Sequence, residues 1–267
     1  MPIFVGGMFK SGTSIARKYI GNNPNIFSGL ETNWFYLDEY YKKQNIDSLN
    51  TTAKLWSSFF KIDYQNTLKI LKNKKSSEGA LEAVMNEIIK NKDLKDWCDK
   101  SPPNIKYSRR ILNYWSDAKI IHVIRNPFDI FASLKEAKKW DSPKEFIKRW
   151  ALIFAEVDQL SKEKNYLEIR YEFLMLDTKN TVKKIFEFCN LDWDEKYSIH
   201  APDIDEYNLV KEITGKQSTT LKRLAEPVTK NRIGIGEKIV TNKEREEIYE
   251  LVSQLGLKET FNRAINL

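Results

Sequence analysis

The sequence predicts an α/β protein, a three-layer α/β/α arrangement with a central parallel sheet and a helical insertion. Three observations carry this. Short apolar runs that read as strands alternate with amphipathic runs that read as helices, the pattern of parallel pairing with helices on both faces. A glycine-rich turn joins the first strand to the first helix. The length of 267 residues, 41% of them hydrophobic, suits a single α/β domain over residues 1–267 with a sizeable core.

Taken in order, "PIFVGG" is an apolar run ending in glycines and reads as a buried strand. "TSIARKYIGNNP" reads as a helix stopped by Gly21 and Pro24. "NIFSG" is a second short strand with Glu31 just past its end. Residues 32–100 read as a mostly helical insertion rich in aromatics, including Trp34, Phe35, Tyr36, Trp56, Phe59, Phe60 and Tyr64. "IKYS" and "AKIIHVIR" read as strands flanking a helix near 109–117. "NPFDIFASLKEAKKW" opens a helix with Pro127 near its first turn, where proline is favoured. A long amphipathic helix over 143–164, a strand at "YLEIRY" and a helix over 178–190 follow. An irregular covering region, about 195–240, precedes a last helix over 242–256.

Composition narrows the function. The net charge of +7 favours anionic ligands. The basic residues form no arginine block, so a nucleic-acid partner is not expected. Cys98 and Cys189 lack CxxC spacing, so neither a disulfide framework nor a zinc site is expected. No stretch reaches the roughly 20 apolar residues that span a bilayer. The first residues enter a strand without room for a signal peptide, and a cytoplasmic location is expected. Oligomeric state is not legible.

Ligands of open parallel sheets bind at the carboxyl ends of strands, so the loops 6–14, 28–33, 100–104 and 125–133 are the ones to inspect. The first, "FVGGMFKSGTS", is P-loop-like: Gly7, four residues, then Gly12. Its amides and the helix N-terminus make an anion cradle from Gly7, Lys10, Ser11, Gly12, Thr13 and Ser14. Thr13 stands where a nucleoside-triphosphate loop carries lysine. The strand "KIIHVIR" ends in Arg125, where a kinase needs an acid to hold Mg²⁺. Arginine there grips phosphate instead. Both departures argue against a Mg-ATP-dependent kinase, which stays an alternative, as does a non-catalytic nucleotide-binding module.

"FKSGTS" followed by "RNPFDIFAS" resembles the two nucleotide signatures of sulfotransferases that use 3′-phosphoadenosine-5′-phosphosulfate (PAPS) and release PAP, including bacterial, protein-tyrosine and carbohydrate enzymes. The resemblance implies that the first loop binds the 5′-phosphosulfate and that Arg125 and Ser133, eight residues apart, bind the 3′-phosphate. "NPNIFSGLETNWF" is similar to the segment carrying a catalytic glutamate, matched by Glu31. "DKSPPN" resembles the segment whose lysine stabilises the transferring group, matched by Lys100. "EIRYEFL" places Tyr171 near the nucleotide, although Phe173 replaces the usual aspartate. "NRIGIGEK" is similar to the loop closing over the 3′-phosphate, matched at Arg232 and Gly234 without the frequent tryptophan.

Together these imply an O-sulfotransferase with PAPS as donor, no metal, Lys10, Lys100 and Glu31 as catalytic groups, and an acceptor hydroxyl, preferentially on a carbohydrate or glycoconjugate. Peptide tyrosine and small alcohols are alternative acceptors. Two roles are open to Glu31, a general base or a charge at the N-terminus of "TNWFYLDEYY"; the base role is preferred for its position between loop and insertion. His122 reads as a core residue, His200 as a residue of the acceptor site, and Asp129 as a helix N-terminal charge.

Overall fold

The structure, a computed structural model, describes residues 1–155, 157–215 and 217–265. Its sheet has five strands: β1 (Pro2–Gly7), β2 (Ile26–Ser28), β3 (Asp96–Lys100), β4 (Lys119–Ile124) and β5 (Tyr166–Arg170). They pair in parallel in the order β2-β3-β1-β4-β5. Register sets Val5 beside Lys100, and Gly7 beside Val123. The carboxyl ends of the three central strands therefore finish side by side.

Between β1 and β2 lies α1 (Thr13–Ile20). Between β2 and β3 stand α2 (Asp38–Lys43), α3 (Ile46–Phe60), α4 (Tyr64–Asn73) and α5 (Ser77–Asn91), the helical insertion. α6 (Ser108–Tyr114) leads to β4, and α7 (Pro127–Glu136), α8 (Pro143–Phe154) and α9 (Val157–Leu160) lead to β5. Then come α10 (Tyr171–Leu176), α11 (Thr178–Phe188), α12 (Ile204–Thr214), α13 (Thr219–Leu224), α14 (Ile235–Ile239), α15 (Asn242–Gln254) and α16 (Lys258–Ile265).

Alternation along the strands divides the core in two. Ile3, Val5, Ile121, Val123 and Ile169 pack with Ile15 and Tyr19 of α1 and Val182, Ile185 and Phe186 of α11. Phe4, Trp97, Ile120 and Ile124 pack with residues of α3, α5, α7, α8 and α15 on the other face. These two clusters make the predicted α/β/α layering.

Four local expectations change. "IKYS" is not a strand: Pro102–Tyr107 is a 3-10 helix, with proline at its start, and the strand is Asp96–Lys100, at the end of the predicted insertion. The helix expected over 143–164 stops at Phe154. The region expected to be irregular contains α12, α13 and α14, the first two capped by Asp203 and Ser218. A further helix, α16, follows the one expected to be last. Among the described residues, no helix is long and apolar enough to cross a membrane.

Candidate active site

The glycine-rich loop follows β1. Lys10 and Gly12 have φ of 70° and 102°, so the chain folds back on itself, with the Ser11 amide donating to the Met8 carbonyl at 3.0 Å. Gly12 is required twice over. Its φ is costly for any residue with a side chain, and a Cβ there would lie 2.4 Å from the Tyr171 ring. Gly7 lies against β4, where a Cβ would be 2.4 Å from the Val123 carbonyl oxygen. The first-turn amides of α1, from Thr13 and Ser14, have no intrahelical acceptors. The Ser11 hydroxyl is fully buried and has no hydrogen-bond partner among the described residues.

Lys10 reaches out of the loop to α13, donating to Thr219 Oγ1 at 3.2 Å and Thr220 Oγ1 at 3.1 Å. Burial, reinforced by Arg223, Lys139 and Arg232 and opposed by Glu136, lowers its pKa to about 8. α12 is latched to the last turn of α1. Arg17 donates to Glu206 at 2.5 Å, and Lys18 pairs with Asp203. The segment expected to be irregular is thus built of ordered helices tied to Lys10 and to α1.

Arg125 directly follows β4 and is buried. Its Nη1 donates to the Lys10 carbonyl at 2.9 Å, and its Nη2 to the Arg232 carbonyl. Its guanidinium lies 4.3 Å from the centre of the Tyr171 ring, stacked between loop and α10. Burial lowers the Arg125 pKa and raises that of the Tyr171 phenol. The residues after Arg125 explain the motif. Asn126 caps α7 by accepting from the Phe128 amide at 2.9 Å, and Pro127 occupies the first turn. Ser133 then projects from α7 toward Arg232, which donates to its hydroxyl at 3.1 Å. The Nε atoms of Arg125 and Arg232 are buried and unpartnered among the described residues.

Asp129 does more than cap a helix. Its carboxylate accepts from the Gly234 and Gly236 amides at 2.9 and 2.8 Å. That clamp fixes the loop carrying Arg232 onto α7, with Gly236 packed against the Phe128 backbone too closely for a Cβ. Glu172, in "RYEFL", accepts from the Asn126 amide at 2.8 Å and ties the start of α10 to the start of α7.

On the other side of β1, Lys100 ends β3 and pairs with Glu31. The lysine side chain is 5% exposed and the glutamate 36% exposed, so the pair is open to solvent on its carboxylate side. Asp99 holds the pair together. Its buried carboxylate accepts from the Thr32 amide at 3.2 Å, the Thr32 hydroxyl at 2.7 Å and Asn104 Nδ2 at 2.9 Å. Burial raises the Asp99 pKa, with these donors acting against it. Ser101 adds a bond from the Asn33 amide at 3.1 Å. The loop after β2 is therefore stapled to the end of β3, and Glu31 is not a cap: the following 3-10 helix starts at Trp34 with Asn33 preceding it.

The structure brings together Gly7, Lys10, Ser11, Gly12, Thr13, Ser14, Arg125, Ser133, Tyr171, Arg232 and Gly234 as one connected set. Glu31 and Lys100 flank β1 on the opposite side, and Ile105, in the 3-10 helix after Lys100, contacts Gly6. His200 does not face them. Its Nε2 lies 3.2 Å from the carbonyls of Leu224 and Glu226, and its ring lies edge-on to Tyr19. His122 is buried, bonded to the Tyr166 hydroxyl at 2.7 Å, and burial lowers its pKa to about 3. Trp34, Phe35, Trp56 and Phe60 fill the core of the insertion, and only Tyr36 among the aromatics of 34–37 is exposed. The sequence reading missed Asp99, Asn104, Glu136 and the Thr219–Thr220 pair. Serine and aspartate caps before "TTLKRL" and "IDEYNLVKEIT" were the available signal for the covering helices.

A parallel sheet with a glycine-rich loop after β1 and arginine after β4 defines the class as a P-loop-like α/β protein. Residues 2–195 match the Sulfotransferase family, and the chain belongs to it. It is 26% identical over 212 residues to protein-tyrosine sulfotransferase A of Caenorhabditis elegans, covering 74% of this chain and 52% of that protein. It is 20% identical over 226 residues to the protein-tyrosine sulfotransferase of Drosophila melanogaster, covering 77% and 41%. The chain thus spans about half the length of these curated relatives. Among solved structures, the sulfotransferase domain from the curacin biosynthetic pathway superposes with a TM-score of 0.68 at 16% identity, covering 96% of this chain and 98% of that one. Mouse sulfotransferase SULT7A1 complexed with PAP superposes with a TM-score of 0.53 at 13% identity, covering 98% and 87%. These likenesses share the fold.

Proposed function

We propose that the protein transfers a sulfuryl group from PAPS to an acceptor hydroxyl. One observation carries the reading. The buried Arg125, the partly buried Arg232 and Ser133 converge beside the glycine-rich loop, and Ser11 Oγ, Arg125 Nε and Arg232 Nε all lack partners among the described residues. That set fits a nucleotide with phosphates at both 5′ and 3′ positions, and mouse sulfotransferase SULT7A1, which shares the fold, is complexed with PAP in its solved structure. Arg125, Ser133, Arg232 and the Gly234 loop would hold the 3′-phosphate. Lys10, Ser11, Gly12, Thr13 and Ser14 would hold the 5′ end, with Tyr171 flanking Gly12.

When bound, PAPS supplies the sulfuryl group; the rest is done by side chains. The loop amides would face the departing 5′-phosphate, where negative charge grows and donors lower the barrier, and Lys10 would join them by leaving Thr219 and Thr220, to which its ammonium donates. Glu31 accepts the proton of the attacking hydroxyl. Lys100 has three N–H donors, enough to keep Glu31 oriented while a second faces the transferring oxygens. The cations of the site are side chains, so activity is expected to persist in a chelator.

A carbohydrate acceptor calls for aromatic rings stacked along a basic cleft, and most rings of the insertion instead pack into its core. The tyrosine enzymes among the relatives favour a phenolic hydroxyl as the second reading. The test is mass-detected transfer from PAPS, with a chelator present, to a panel of sugars and tyrosyl peptides. A +80 Da product, about the mass of SO₃, supports the reading. PAP bound but no product from any acceptor class supports the non-catalytic alternative. ATP turnover restored by Mg²⁺ supports the kinase.

A further inference from the structure

Glu136 belongs to none of the recognised motifs, yet it occupies the cations of the site. It lies one turn beyond Ser133 on α7, so its carboxylate stands beside the serine hydroxyl. Arg232 Nη1 donates to Glu136 Oε1 at 3.1 Å, and Nη2 donates both to Glu136 Oε2 and to Ser133 Oγ, the latter at 3.1 Å. Arg223 of α13 approaches the same carboxylate at 3.6 Å. Two arginines from the covering segment thus converge on one carboxylate next to the serine.

We propose that Glu136 is an internal competitor for the 3′-phosphate: its carboxylate holds Arg232 and Arg223 until the nucleotide phosphate takes them, and retakes them when PAP leaves. The inference rests on the reading of Arg125, Ser133 and Arg232 as the 3′-phosphate grip. A carboxylate and a phosphate present the same pair of oxygens to a guanidinium fork. The phosphate brings up to two negative charges against one, so it wins the exchange. The displaced Glu136 side chain is already 38% exposed and turns into water. The competitor has two effects. It neutralises a cluster of cations that would otherwise repel one another and Lys10 whenever no nucleotide is bound. It also weakens the hold on PAP, because the apparent affinity is the intrinsic one scaled by the fraction of protein whose arginines are free. A half-exposed pair is modest in strength, so the scaling is about three- to tenfold. Faster product release follows from the same exchange, a step that limits many enzymes.

The experiment is calorimetric binding of PAP and of adenosine 5′-phosphate to wild type, Glu136→Gln and Glu237→Gln. Glu237 is an exposed carboxylate on α14, the helix packed on α7, and among the described residues it forms no ion pair with either arginine, so it reports the loss of one negative charge alone. The expected result is PAP binding tighter by about three- to tenfold in Glu136→Gln, with slower PAP release by stopped flow, and adenosine 5′-phosphate affinity unchanged. An equal gain in Glu237→Gln, or an equal gain for both ligands, reduces the effect to net charge and overturns the proposal. Unchanged or weaker PAP binding in Glu136→Gln, with wild type binding PAP, overturns it while leaving the 3′-phosphate reading intact. Absence of PAP binding in all three proteins overturns that reading and this inference with it.

Discussion

Lys10 provides a prediction with a defined pH window. Its ammonium is caught between burial, three neighbouring cations and one carboxylate, and its pKa falls to about 8. An anionic nucleotide replaces that repulsion with attraction, so binding requires the charged lysine and takes up a proton where the free protein has lost it. At pH 8 about half of the free protein carries the charge, and at pH 9 about a tenth does. Affinity for PAP is therefore flat below about pH 7 and falls by up to about tenfold, or about 1.4 kcal/mol, for each unit above pH 8. Lys10→Arg stays charged throughout and has a flat profile. Stability moves in the opposite sense. The folded pKa lies below the ordinary 10.5, so between about 8 and 10.5 the unfolded chain binds more protons, and Lys10's contribution to stability rises with pH. Calorimetric titration of PAP from about pH 7 to about pH 9.5, with melting curves of both proteins, tests both signs. A flat wild-type profile, or the same slope in Lys10→Arg, refutes the placement of Lys10 against the nucleotide.

Glu31→Gln keeps the shape of the side chain but cannot accept a proton; turnover should fall by roughly 10²–10⁴ with PAP affinity nearly intact, and full activity in a folded but less stable variant would contradict the base role. Lys100→Ala should lower turnover by roughly 10²–10³ with a modest change in PAP affinity, and a selective loss of PAP binding instead would move Lys100 into the nucleotide site. Gly12→Ala forces a side chain into the Tyr171 ring at positive φ, so a loss of about 1–3 kcal/mol in stability, read by denaturant melts, should accompany lost PAP binding; an unperturbed melt would show that the loop adopts another path.

The parts legible in the sequence are those whose causes are local. Gly7 and Gly12 announce the loop, and Asn126 and Pro127 announce α7, because turn and cap chemistry act over a few residues. β3 was missed because Asp96, Asp99 and Lys100 interrupt its apolar run. Asp99 is tolerated in the core only through Thr32 and Asn104, and Thr32 is contributed from 67 residues away. "IKYS" alternates like a strand, but Pro102 and Pro103 start a 3-10 helix whose Ile105 packs under Gly6. α12 and α13 are short and bury little on their own, so tertiary ties such as Arg17 to Glu206 and Lys10 to Thr219 order them. Glu136 is invisible for the same reason: its partner Arg232 lies 96 residues further on.

The central claim is that Arg125 and Ser133 recognise a 3′-phosphate. It is tested most directly by the ratio of PAP to adenosine 5′-phosphate affinity in wild type, Arg125→Ala and Ser133→Ala, measured by calorimetry. Wild type should favour PAP by about 1.5–3 kcal/mol, the worth of a charge-assisted contact, and Arg125→Ala should erase most of that preference while Ser133→Ala erases part. A wild type that binds both ligands equally, or a preference that survives in folded Arg125→Ala, would contradict the account.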